Sequence, residues 1–192
     1  PVVISGCTVR NYTNRFVYVS LSGKIESLTI DDCIFIGADN STTNKAIYAS
    51  SAHTQVETLS VTNSTFLNFN TGSNYFFRIN CGEELVLMPV VLIDHCTFYN
   101  CYDRRGVYLY NAGRSTIKNC ISAFSERRDD TKSFTAYGDE SIVKNVISYN
   151  VDLYGSAPKE NIISKNPLFV DAENGNFQLY KDSPAVGAGD DG

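Results

Sequence analysis

One short pattern returns seven times along the chain: VVISGCTV at 2–9, LTIDDCIF at 28–35, LSVTNSTF at 59–66, VLIDHCTF at 91–98, STIKNCIS at 115–122, SIVKNVIS at 141–148 and NIISKNPL at 161–168. A repeat built round one short strand cannot bury its apolar side alone, so the copies are expected to stack as coils of a solenoid. Within LTIDDCIF, Leu28 and Ile30 share one face and Asp31 takes the other. For Cys33 and Phe35 to face the same interior, the chain has to bend at Asp32. The equivalent positions hold Gly6, Asp32, Asn63, His95, Asn119, Asn145 and Lys165, mostly residue types that tolerate a left-handed backbone. After the bend come Cys7, Cys33, Ser64, Cys96, Cys120 and Val146, small enough to form an interior ladder, and two residues later Val9, Phe35, Phe66 and Phe98. Strand, corner, strand is the cross-section of a parallel β-helix. The chain is therefore read as all-β, a single-stranded parallel β-helix of about six to seven coils.

A third strand is expected between the repeats, in FVYV at 16–19, AIYA at 46–49, FFRI at 76–79, VYLY at 107–110 and FTAY at 134–137. If Val17, Val19, Ile47, Ala49, Phe77, Ile79, Val107, Leu109, Phe134 and Ala136 face the core, alternation sends Tyr18, Tyr48, Arg78, Tyr108 and Tyr137 outward, with Tyr110 following Tyr108. Their spacing of 30, 30, 30 and 29 is more even than that of the corners, at 26, 31, 32, 24, 26 and 20, because loop lengths compensate.

With 192 residues and 43% hydrophobic content the chain can build a sizeable core, and no Pro/Ser-rich linker divides it, so one domain over 1–192 is expected, with 165–192 as its closing segment. A net charge of −5 and a pI near 5.0 argue against nucleic acid as a partner. No apolar run approaches the length of a membrane span. Pro1 falls almost directly into a repeat strand, and an open solenoid end exposes core and backbone edges; the expectation is a mature chain or part of a longer one, truncated at its amino-terminal end.

Four of the six cysteines occupy the same interior slot on different coils. Stacked about 4.8 Å apart with parallel Cβ vectors, they suit a ladder of free thiols rather than bridges. Cys81 and Cys101 lie outside it and could pair only if their loops meet. No Cys/His spacing supports zinc, His53 and His95 stand alone, and no metal site is expected.

A flat sheet face repeating with the coils suits a long ligand, and polysaccharide is the natural partner: tyrosines stack on sugar rings, and Arg78 can hold a uronate carboxylate or a sulfate through two donors. Tyrosines also stabilise cross-strand neighbours with no ligand at all. Two loops enter this sheet, one with Asp103, Arg104 and Arg105, the other SERRDDTK at 125–132. Arg104, Arg105, Arg127, Arg128 and Lys132 would form a basic patch beside the tyrosine row, suited to an acidic polysaccharide or, for a lyase, to supplying a base. Glu126, Asp129 and Asp130 can instead neutralise it. Hydrolysis needs two carboxylates held together. Asp31, Asp32, Glu83, Glu84 and Asp94 are not brought together by the repeat pattern.

The DDCIF, TNSTF and DHCTF motifs, with the ending KNPLFVDAENGNFQLYKDSPAVGAGDDG at 165–192, resemble pectate-lyase-like right-handed β-helix proteins. The resemblance covers nearly the whole chain and is closest to the family that includes alginate lyases and chondroitinase B, and to related domains in secreted proteins of gut Bacteroidota. It implies a secreted or cell-surface protein that handles polysaccharide, and in the lyase branch a calcium-assisted Lys/Arg pair performing β-elimination. This chain departs from that branch: Lys118 and Lys144 lie on strands, but flanked by corner asparagines with no acidic cluster beside them. The expectation is a non-catalytic glycan-binding domain without cofactor. A calcium-assisted lyase and a structural shaft of a surface protein or adhesin are the alternatives.

Overall fold

In the computed structural model, residues 1–19, 24–38, 44–51, 55–70, 75–81, 89–110 and 112–191 are described, with the backbone alone at 50, 51, 55 and 81. Four turns each contain three separate strands. The first holds β1 (Val2–Ser5), β2 (Thr8–Val9) and β3 (Arg15–Val19); the second β4 (Lys24–Asp31), β5 (Ile34–Ile36) and β6 (Lys45–Ser51). The third holds β7 (Gln55–Thr62), β8 (Thr65–Leu67) and β9 (Phe77–Cys81), and the fourth β10 (Val90–Asp94), β11 (Thr97–Tyr99) and β12 (Val107–Tyr110). Beyond them the first two strands of a turn merge, leaving β13 (Arg114–Ala123) with β14 (Lys132–Ala136), β15 (Ile142–Tyr149) with β16 (Asp152–Tyr154), and β17 (Lys159–Ile163) alone. The solenoid thus has about four full turns among the described residues, not six to seven, because the later repeats no longer break the ladder at their corner. Every pairing along both stacks is parallel, the second sheet running β16-β14-β12-β9-β6-β3.

The corners are as the repeat requires. Gly6, Asp32, Asn63, His95, Asn119 and Asn145 all have φ between 50° and 64°. The seventh is corrected: Val146 is in register with Ile162, so the corner is Asn161, with φ 48°, and not Lys165. The last repeat slips by four residues because its apolar pair Ile162–Ile163 matches Val146–Ile147 rather than Ile142–Val143. A second row of left-handed asparagines, Asn11, Asn68, Asn100 and Asn150, turns the chain after the corner strands.

The residue after each corner does more than fill space. Cys7, Cys33, Cys96 and Cys120 donate to the carbonyls of Ser5, Asp31, Asp94 and Lys118 at 3.2, 3.2, 3.3 and 2.9 Å, and Ser64 to Thr62 at 2.7 Å. The carbonyls of Asp31, Thr62 and Asp94 also accept from the corner N–H groups of Gly6, Asp32 and Asn63 on the preceding coil at 3.1, 3.2 and 3.1 Å, so the thiol or hydroxyl two positions on adds a second, local donor at each corner. Cys101 repeats the arrangement behind Asn100 and is a free thiol, as are the four ladder cysteines. Inside lies a continuous core in which Phe35, Phe66 and Phe98 stack nearly parallel at 4.9 and 5.0 Å.

Residues 165–191 run along the flank of the corner-strand row. The antiparallel pair β18 (Phe169–Asp171) and β19 (Asn176–Leu179) sets Phe169 and Phe177 edge-on to Tyr99, while Asp190 reaches Lys118, Asn119 and Lys144. No helix among the described residues is long and apolar enough to cross a membrane.

Candidate functional site

The outer face of the six-stranded sheet carries the expected row with one substitution. Register aligns Tyr18 with Tyr48, Tyr48 with Arg78 and Arg78 with Tyr108, but the next position is Thr135, not Tyr137. Thr135 is buried, its hydroxyl donating to the Arg105 carbonyl at 3.1 Å. Tyr137, just beyond β14, reaches the row from the side, edge-on to Tyr108 and Tyr110 at 6.4 and 5.4 Å. Register sets Phe134 opposite Val107, so Tyr137, one residue past the end of β14, comes level with Tyr110 rather than Tyr108.

Alternation by itself left out three residues of the face. Arg15, Lys45 and Tyr75, with Arg105, stand three residues ahead of Tyr18, Tyr48, Arg78 and Tyr108, again thirty apart. That second periodicity was the available signal, but alternation was read over 16–19, 46–49, 76–79 and 107–110, which begin one or two residues after these positions. The Arg15 guanidinium lies 4.5 Å from the centres of both Tyr18 and Tyr48. Arg78 lies 4.6 Å from Tyr75 and hydrogen-bonds the hydroxyls of Tyr75 and, at 3.4 Å, Tyr48. Arg105 lies 4.8 Å from Tyr108. Tyr75 stacks on Tyr108 at 5.8 Å, and Tyr108 on Tyr110 at 5.9 Å. Rings and guanidinium groups therefore alternate along the face, each contact contributing about 0.5–2 kcal/mol depending on desolvation. Tyr18 is 51% exposed whereas Tyr108 is 7% exposed, so the row is open at its ends and packed upon itself at its centre. Burial pushes the Tyr75 and Tyr137 hydroxyls above the ordinary tyrosine range, and pulls Lys45 below the ordinary lysine range despite Asp103 nearby.

Charge on this face is unevenly compensated. Arg127 pairs with Asp152 and Asp129 at 2.9 and 3.3 Å, Lys132 with Asp152 at 3.3 Å, and Arg128 with Glu126 while lying 3.8 Å over Tyr102. Asp152 is partly desolvated, but Arg127 and Lys132 hold its carboxyl below the usual range. Arg15, Arg78, Arg104 and Arg105 have no carboxylate partner among the described residues. At the end of the row a cleft of about 390 Å³ is lined by Arg104, Arg105, Asp129, Asp130, Lys132, Tyr137 and Tyr154.

The opposite flank corrects two further expectations. Lys118 and Lys144 do have acidic neighbours: Lys118 lies 3.3 Å from both Asp94 and Asp190, and Lys144 lies 3.0 Å from Asp190. His95 is not alone but bridges Asp94 and Asp191, each at 2.9 Å. Hydrogen bonds from Asn119 and Lys144, with Lys118 adding to them, hold the Asp190 carboxyl well below the usual range. Asp190 and Asp191 arrive from the far end of the chain, so no local pattern announces them. Among the described residues no group of three or more His, Cys, Asp or Glu is arranged to hold a metal. His53, Glu83, Glu84 and the Cys81 side chain lie outside the described residues.

No protein-family model matches the chain, and no curated protein matches it. The resemblance to pectate-lyase-like proteins holds at the level of a parallel β-solenoid; membership of that family and kinship to Bacteroidota domains have no support from sequence matching.

Proposed function

We propose that the outer face of the six-stranded sheet binds an extended acidic polysaccharide, making this a secreted or cell-surface glycan-recognition domain rather than an enzyme. The observation that carries the reading is the set of guanidinium groups of Arg15, Arg78 and Arg105, stacked on tyrosine rings without a carboxylate partner among the described residues. Stacking leaves a guanidinium edge free for bidentate bonds to a carboxylate or sulfate. The steps from Tyr18 to Tyr108 span on the order of 14 Å at strand spacing, a length suited to several sugar units. Three of the five basic loop side chains, Arg127, Arg128 and Lys132, are engaged by carboxylates, which favours binding over base catalysis. The burial of Tyr108 favours a structural shaft as the second reading.

Affinity electrophoresis through gels containing alginate, polygalacturonate or chondroitin sulfate tests this. At least one polymer is expected to retard the protein, and Tyr18→Ala with Arg78→Ala to abolish retardation while circular dichroism stays unchanged. Unchanged mobility in every gel would leave the shaft reading. Growth of ultraviolet absorbance from an unsaturated uronide would make the protein a lyase.

A further inference from the structure

On the flank away from the tyrosine row, residues 185–191 lie over the corner asparagines as a strap. Its turns close on themselves: Ala185 and Val186 donate to the hydroxyl and carbonyl of Ser183, and Ala188 to the Ala185 carbonyl. Among the described residues, the strap reaches the solenoid by hydrogen bond or ion pair only through Asp190 and Asp191. The Asp190 carboxylate sits among converging donors, with Lys144 Nζ at 3.0 Å, Lys118 Nζ at 3.3 and 3.4 Å from its two oxygens, and Asn119 Nδ2 at 2.7 Å. The backbone N–H of Asp190 donates to Asn119 Oδ1 at 3.2 Å. His95 Nε2 meets the next carboxylate, Asp191, at 2.9 Å. Asp94 is the one solenoid carboxylate paired with either lysine among the described residues, so the strap supplies the rest of the compensating charge.

Beside these contacts lies a cavity of about 170 Å³, walled by Ile121, Ile147 and Leu179 and faced from the strap by Ala185, Gly187 and Ala188. Glycine and alanine bury little apolar surface there, so the strap is held through its two carboxylates rather than by packing. A ligand offering the same carboxylates together with a larger apolar side chain would satisfy both halves of the site.

We propose that Lys118, Asn119, Lys144 and His95, with the cavity beside them, form a docking site for a partner's acidic peptide that carries two consecutive aspartates behind an apolar side chain, and that the strap fills this site in cis as a displaceable cover. Peptide is the matching chemistry because the Asn119 amide reads both the carboxylate and the backbone N–H of one aspartate. A strap tethered in cis competes at an effective concentration on the order of millimolar, so it holds the site against weak ligands and yields to a tighter one. The site is separate from the glycan face and does not depend on that reading.

Fluorescence polarisation with a labelled, carboxy-terminally amidated peptide, Val-Gly-Leu-Gly-Asp-Asp-Gly, tests this; leucine stands where the strap has Ala188. Asp190→Ala with Asp191→Ala opens the site and should bind the peptide at least about tenfold more tightly than the wild type does. Adding Lys118→Ala and Lys144→Ala should weaken that binding by about tenfold or more, and a peptide with both aspartates replaced by asparagine should not bind. The proposal is overturned if the opened variant, folded by circular dichroism, binds no more tightly than the wild type, or if loss of the lysines changes nothing. It is also overturned if the strap's own alanine-containing sequence binds as well as the leucine peptide, which would make a second copy of this chain the occupant. Should the opened variant fail to fold, the wild type decides: saturable binding of the aspartate peptide and none of the asparagine peptide supports the site, and no such difference up to roughly millimolar peptide overturns it.

Discussion

Asn145 gives a clean test of how the corners specify the solenoid. Its φ is 51°, its amide donates to Asn119 Oδ1 at 3.2 Å, and its own Oδ1 accepts from Asn161 at 2.9 Å. An alanine held in left-handed backbone costs roughly 1–2 kcal/mol. Each amide bond at this half-exposed corner contributes about 0.5–1 kcal/mol. Asn145→Ala loses both contributions and should destabilise the protein by about 2–4 kcal/mol. Asn145→Gly also loses the bonds but adopts the same φ without steric cost, against which stands the extra chain entropy of glycine, about 0.5–1 kcal/mol. Glycine should therefore be the milder replacement by about 0.5–1 kcal/mol. At Thr29, in extended backbone on β4, the order should reverse, with glycine the worse by a similar amount of about 0.5–1 kcal/mol. Urea unfolding followed by far-ultraviolet circular dichroism reads both comparisons as midpoint shifts at constant slope. Solenoid stability sums over neighbouring coils, and comparing two replacements at one site cancels that coupling. Alanine equal to or milder than glycine at position 145 would refute left-handed backbone as the reason for asparagine there.

Two other perturbations probe the core and the flank. Phe66 is fully buried between Phe35 and Phe98, so Phe66→Leu should cost about 1–3 kcal/mol from two lost ring contacts, and Phe66→Ala about 3–5 kcal/mol as a cavity opens; a neutral leucine in urea unfolding would show that the stack is incidental. Asp190, with its carboxyl depressed in the folded state, contributes stability that is present above the unfolded value near 3.9 and lost as pH falls below it. Asp190→Asn should therefore lower the melting temperature at neutral pH and flatten its decline below about pH 4; melting curves of the two proteins that fall in parallel would refute the clasp.

How far the sequence could be read depended on whether each signal was local. The corners at Asp32, Asn63, His95, Asn119 and Asn145 were legible because a left-handed residue between two alternating segments leaves its mark within one repeat. The slip at Asn161 was not, since Ile162 and Ile163 satisfy the apolar pattern in either frame and only pairing with β15 chooses between them. Tyr137 likewise kept the thirty-residue rhythm in sequence but lost it in space, because register placed Thr135 opposite Tyr108. Ion pairing of Arg127 and Lys132 through Asp152 joins separate turns, and the neutralising partner lay beyond the acidic residues of the loop itself.

Sequence by itself determined the architecture, the inward ladder of cysteines and phenylalanines, and the outward row of Tyr18, Tyr48, Arg78 and Tyr108, because steric backbone preference and period-two alternation act over a few residues and repeat with every coil. Only the tertiary structure decided which charges remain uncompensated, that Tyr108 is buried while Tyr18 is open, and that Asp190 and Asp191 fold back onto Lys118, Lys144 and His95. Those outcomes depend on contacts between residues far apart along the chain, where strand register and the path of the returning segment set the distances and no local preference does.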